Sequence, residues 1–191
     1  MRNGSHEGLI IPGIVAVLLL WLVLVYNRLV ALRQTTGQAW SDVDVQLKQR
    51  HDLIPNLVET VKGYAKHEHA TFENVVKARN TALSAQGPEQ AAVAEGVLGQ
   101  ALGRLLALSE AYPDLKANQN FLQLQAELGD VENKIAAARR FFNNAVAEYN
   151  SAIQQIPAVF FAGSLGFLPR GFFEVAESER AAIAAPPRVT F

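Results

Sequence analysis

Between Glu7 and Arg28 the chain has no charged residue, and from Leu9 to Tyr26 it reads LIIPGIVAVLLLWLVLVY. A run of about 20 apolar residues matches one bilayer crossing as a helix, which satisfies its backbone polar groups internally. Pro12 and Gly13 fall in its first turn, where a missing N–H does least harm. Trp21, Tyr26 and Arg28 are placed as membrane-interface residues. A cleaved secretory signal is the competing reading. Its apolar region would be too long, however, and Asn27 and Arg28 follow where small residues would be needed. The expected layout is a short tail over 1–8, a transmembrane helix over 9–27, a helical bundle over 28–157 and a Phe/Gly/Pro-rich segment over 158–191. Arg2 flanks one end of the span, and Arg28 with Arg33 flanks the other. That balance favours a single-pass topology with the N-terminus outside and the bundle in the cytoplasm.

After the anchor, apolar residues recur in alternating three- and four-residue steps with almost no strand signal. Trp40, Val43, Leu47, Ile54, Leu57, Val61 and Tyr64 form one seam, interrupted only by Arg50. The helix carrying them is expected to continue from the membrane span, with a soft point at Thr35, Thr36 and Gly37, which are poor helix formers. A second helix, about His69 to Ser84, carries Phe72, Val76 and Leu83 and ends at the breaker pair Gly87 and Pro88. A third presents Ala91, Ala94, Leu98, Ala101, Leu105, Leu108 and Tyr112 before Pro113 and Asp114 turn the chain. The last runs from Phe121 through Leu124, Leu128, Val131, Ile135, Ala138, Phe142, Ala145, Tyr149 and Ala152 to Ile156. Such seams are buried together or not at all. The fold class is therefore all-α: an anchor helix continuing into an elongated antiparallel bundle of three to four helices with coiled-coil-like packing.

Candidate chemistry gathers in SDVDVQLKQRHDLIPNLVETVKGYAKHEH. His67 and His69 point to different sides of a helix, and no glutamate has a histidine three residues later, so neither zinc nor di-iron spacing is present. No phosphate loop, dinucleotide fingerprint or nucleophile elbow occurs. With 17 Lys and Arg against 18 Asp and Glu, no global field exists to hold nucleic acid. The absence of cysteine excludes thiolate chemistry and disulfides. The expectation is no catalytic residue, metal, cofactor or small-molecule substrate. Arg50, a guanidinium on a core seam, must pair with a carboxylate or turn to water, and a register-setting role suits it. Pro55 removes the bond its N–H would give to the His51 carbonyl, leaving that acceptor available and favouring a kink. Arg139 and Arg140, near Glu132, read as a solvated charged face.

Beyond Pro157 the chain changes character. Six of its ten Phe lie there, and Phe160, Phe161, Phe167, Phe172 and Phe173 are interleaved with Gly163, Gly166 and Gly171. This stretch is too irregular for a helix and too apolar for a free tail. It is a candidate interaction segment that caps its own bundle, meets a neighbouring copy or dips into a membrane surface.

The stretch YNRLVALRQTTGQAWSDVDVQLKQRHDLIPNLVETVKGYAKHE, with Ala78 and Arg79 after it, resembles the LemA family. So does YPDLKANQNFLQLQAELGDVENKIAAARRFFNNAVAEYNSAIQQIP with the Phe/Gly-rich stretch behind it. The resemblance covers Tyr26 to about Phe173. Ile156-Pro157 stands where the family has Phe-Pro, and the tail after Glu174 is Ala/Pro-rich. The resemblance implies a bacterial inner-membrane protein with a soluble antiparallel bundle. It also implies a likeness in fold to a magnetosome-associated protein linked to membrane remodelling, and it carries no reaction. The functional expectation is a non-enzymatic scaffold that self-associates on the membrane as a homo-oligomer in contact with lipid. The alternative is a membrane-tethered adaptor for a protease, sensor or other membrane protein, recognising it through faces around Asp42, Asp44 and Arg139.

Overall fold

The structure, a computed structural model, describes the backbone of residues 4–174 and the side chains of residues 10–174. Most of the short tail and the Ala/Pro-rich stretch after Glu174 lie outside the described residues. Among those described, the chain is all-α: α1 (Gly4–Lys62), α2 (His69–Ser84), α3 (Gly87–Ala111), α4 (Pro113–Lys116) and α5 (Gln119–Gln154), then a 3-10 turn at Ala158–Phe160. Two compact units divide it, one of Met1–Ala39 with Asn144–Arg170 and the other of Trp40–Asn143 with Gly171–Phe191.

In the first unit, α1 is long and apolar enough to cross a membrane. Every large apolar side chain from Ile10 to Leu24 is exposed, from 38% for Leu22 to 68% for Ile11. That much contiguous apolar surface is not stable in water, and a bilayer is the environment it fits. Past the span, Leu29 is buried with Tyr149, Ala152 and Ile153 of α5 and with Ala158, Ala162 and Phe167 beyond it. The helix shows no break at Thr35, Thr36 and Gly37, where low propensity predicts softness. Packing overrides propensity here, since Leu29, Thr36 and Ala39 are fully buried, and both hydroxyls are satisfied within the helix: Thr35 Oγ1 donates to the Ala31 carbonyl at 3.1 Å and Thr36 Oγ1 to the Arg33 carbonyl at 2.7 Å.

In the second unit, four long helices share one core, which α4 joins through Leu115: Ile54, Leu57, Val58 and Val61 from α1, Phe72 and Val75 from α2, Leu98, Leu102 and Leu105 from α3, and Phe121, Leu124 and Leu128 from α5. Antiparallel pairing of α1 with α5 follows from contacts that step in opposite directions: Tyr64 with Asn118, Thr60 with Asn120, Arg50 with Glu132, Trp40 with Phe142. The turn from α2 to α3 is two residues long, which forces the same arrangement there. Gly87, the first residue of α3, has a φ of 75°, a conformation that favours glycine.

The seams locate the buried faces well on α1, α3 and α5 and poorly on α2. That helix buries Phe72, Val75, Ala78 and Ala82, and leaves Val76 and Leu83 exposed. Small alanines allow close approach to α3, so the face is set by fit and not by the largest apolar residues.

Candidate functional site

Two features stand out, one in each unit. The bundle unit contains a cluster of charge in its interior. Arg50, His51 and Glu95 are all about 95% buried. Arg50 Nη1 donates to Glu95 Oε2 at 3.0 Å, and His51 Nε2 lies 2.5 Å from the other oxygen of the same carboxylate. Arg50 Nε sits 2.8 Å from Glu132 Oε1, although its N–H is not aligned for a hydrogen bond, so that contact is an ion pair alone. One guanidinium thus reaches from α1 to carboxylates on α3 and α5. A Cβ added at Gly99 would lie 3.3 Å from Arg50 Nη2, so the glycine leaves room for the guanidinium. Burial pushes the Glu132 carboxyl above its usual range; Arg50 pulls it back and Glu95 raises it again.

The His51 carbonyl, freed by Pro55, is taken by Arg79. Its Nε donates to that oxygen at 2.8 Å from α2. The proline defect on α1 is thereby answered by a side chain, and α1 stays helical through residue 55. Arg50 and His51 are thus committed to Glu95, and Arg50 to Glu132 as well. Among the described residues, no group of three or more His, Cys, Asp or Glu could hold a metal.

The C-terminal segment is fastened by asparagines. In the bundle unit, the Asn143 amide brackets one residue: its Nδ2 donates to the Phe173 carbonyl at 3.0 Å, and its Oδ1 accepts from the Phe173 N–H at 2.9 Å. Phe173 is buried, with its ring 5.7 Å from that of Trp40, which also meets Phe142 at 5.3 Å. Gly171 passes so close to Glu89 that an added Cβ would fall 2.2 Å from Glu89 Oε1. In the anchor unit, Asn150 brackets Arg170 in the same way, with both bonds at 2.9 Å.

The aromatic candidates separate accordingly. Phe167 is buried, edge-on to Tyr26 at 5.6 Å and under the Arg33 guanidinium at 4.8 Å. Phe161 is half-buried against the same cluster. Phe173 is core, Phe172 is 37% exposed and Phe160 is 77% exposed. Trp21, Tyr26 and Arg28 are exposed on α1. Sequence reasoning did not single out Glu95, Asn143 or Asn150. The available signals were a carboxylate among the alanines and glycines of α3, and two asparagines seven residues apart, hence on one face of α5.

An apolar helix that fits a membrane, continuing into an antiparallel four-helix core, defines a membrane-associated helical-bundle protein. The chain matches the LemA family over residues 39–191, more than half its length, and it belongs to that family. It is 28% identical to magnetosome protein MamQ of Magnetospirillum gryphiswaldense over 76% of this chain and 63% of that protein. With MamQ 2 of Paramagnetospirillum magneticum it shares 25% identity over 91% of this chain and 74% of that one. With protein LemA of Metamycoplasma hominis it shares 24% over 81% and 71%.

Proposed function

We propose that this protein is a non-enzymatic structural scaffold that crosses the bacterial inner membrane once through α1, N-terminus outside, and self-associates through its cytoplasmic bundle to organise the membrane. The observation that supports this most is the unbroken run of α1 from an exposed apolar span into a packed core, so that span and bundle share one helix. The buried charges support a structural role, because Arg50, His51, Glu95 and Glu132 are held by one another and not presented to a substrate. Val93 and Val97, one turn apart on the outer face of α3, are 72% and 54% exposed and give copies an apolar patch to share. Relatives named as magnetosome proteins fit a membrane-organising role.

The test is particle size in mild detergent. Wild type is expected above monomer mass, and Val93→Asp with Val97→Asp is expected to lower it while leaving the helical signal intact. A monodisperse monomer in both ends the proposal. Changing Phe173 would be a poor choice, since it is core. The adaptor reading is favoured by an open trough along α2, lined by Phe72 and Val76 together with Lys62, Glu73 and Lys77. In-cell crosslinking from position 76 separates the two, since foreign partners there would support the adaptor and self-crosslinks the scaffold.

A further inference from the structure

We infer that the segment from Ile156 to Leu168 is a second membrane contact, lying in the headgroup and acyl boundary beside the end of the apolar span near Tyr26. No charged residue occurs between Glu148 and Arg170, so this stretch meets hydrocarbon without burying an ion. Its position is fixed by contacts within the anchor unit. Val25, still inside the apolar run, packs against the cluster of Leu29, Ile153 and Phe167, and Tyr26, the interfacial aromatic, meets the Phe167 ring at 5.6 Å. A segment that touches the last residues of the span sits at the level where the bilayer ends.

What it presents there is apolar. Phe160, Ile156 and Leu168 are 77%, 75% and 65% exposed, and Leu165 and Val159 about half. Their neighbours Ala158, Ala162 and Phe167 are buried, so the segment has an inner face on α1 and α5 and an outer apolar face. Past Tyr26, this unit carries Arg28, Arg33 and Arg170 against Glu148 alone, a balance suited to anionic headgroups. An outer face that is apolar, uncharged, flanked by arginines and held against the end of a membrane helix fits a lipid surface better than a protein groove.

Because the chain has no cysteine, single cysteines give unique labels. Full-length protein with an environment-sensitive fluorophore at Phe160→Cys or Leu168→Cys is reconstituted at one copy per nanodisc of phosphatidylcholine and phosphatidylglycerol, with Lys48→Cys as the bundle control. Both segment labels are expected to be quenched by shallow nitroxide lipids and shielded several-fold from aqueous iodide relative to the control. Iodide quenching equal to the control overturns the inference. So does shielding from iodide without lipid quenching, which would mean cover by the chain itself. One copy per disc removes self-association from the readout, so failure here leaves the scaffold proposal standing, and the reverse also holds. Phe160→Asp with Leu168→Asp, both exposed, keeps the fold and is expected to render a Leu165→Cys label iodide-accessible; continued lipid quenching of that label counts against the inference.

Discussion

Replacing Arg50 by Met and Glu95 by Leu, singly and together, measures what the buried charges do. Removing one partner of a buried ion pair typically costs about 3–5 kcal/mol, because the other charge is left in the interior. Glu95→Leu leaves Arg50 with Glu132 and the backbone carbonyl of residue 95, and takes the carboxylate from His51 Nε2. The remaining ion pair and the lost hydrogen bond roughly offset each other, placing the loss at about 3–4 kcal/mol. Arg50→Met strands two carboxylates, but Glu132, 24% exposed at its side chain, stays partly hydrated and can take up a proton, which holds the loss near 3 kcal/mol. The double variant buries two apolar side chains and strands only His51 Nε2, for a loss of about 1–2 kcal/mol. For a chain of this size each kcal/mol shifts Tm by roughly 2–4 °C, so each single is expected to fall by about 6–16 °C and the double by about 2–8 °C. Near-ultraviolet circular dichroism of the full chain in one detergent at pH 7 reads all four proteins. Additive losses, or a single that loses less than about 1 kcal/mol, would refute the reasoning.

The same cluster predicts a pH dependence. Burial raises Glu132 and the Arg50 guanidinium opposes that, so Arg50→Met raises it further. A raised carboxyl favours the protonated fold, with that contribution complete below the unfolded value and lost as pH rises through the folded one. Arg50→Met is therefore expected to regain stability relative to wild type on going from pH 7 to pH 5, and an unchanged Tm gap would contradict this. Arg79→Ala orphans the His51 carbonyl and is expected to cost about 1–2 kcal/mol; adding Pro55→Ala restores an N–H to that oxygen and should recover most of it. Equal Arg79→Ala losses in both backgrounds would remove the link. Asn143→Asp preserves shape but turns an acceptor toward the Phe173 carbonyl, so limited proteolysis within residues 160–174 is expected to accelerate as much as for Asn143→Ala. Wild-type resistance in the Asp variant would refute the bracket.

How much was legible follows from what repeats. The seams on α1, α3 and α5 report their buried faces because one residue every three or four is enough to mark a helix side. On α2 the close-packed residues are alanines, which carry little hydropathy signal, so Val76 and Leu83 attract the eye and turn out exposed. Arg50 announced itself as a charge on a seam, and its need for a carboxylate was readable, but which carboxylate was not. Glu95 is recognisable only once α3 is placed against α1, forty-five residues away in sequence. The free carbonyl at His51 was legible from Pro55 alone, while its donor was not. The asparagine brackets left only the seven-residue spacing of Asn143 and Asn150, which marks a shared helix face but not the peptides they hold.

Periodicity alone leaves a choice that the buried charges bear on. The α3 seam of Ala91, Ala94, Leu98, Ala101, Leu102 and Leu105 would still present apolar groups to the core if the helix slid along its axis by one turn. Hydrophobic burial hardly distinguishes such registers. A slide of four residues, however, puts Ala91 or Gly99 where Glu95 stands, and one of seven puts Pro88 or Leu102 there. In each case Arg50 would keep only its contact to α5 and His51 would lose its acceptor. The penalty for a buried charge so stranded, on the order of 3–5 kcal/mol, is comparable to the whole stability of a small domain. Gly99 sharpens the choice, since the register that seats Glu95 on Arg50 also brings the residue without a side chain to the guanidinium. An apolar replacement of the pair can therefore lose far less stability than either single change and still lose uniqueness. The double variant would melt only a few degrees below the native protein but with a broader near-ultraviolet transition, because several α3 registers would then compete.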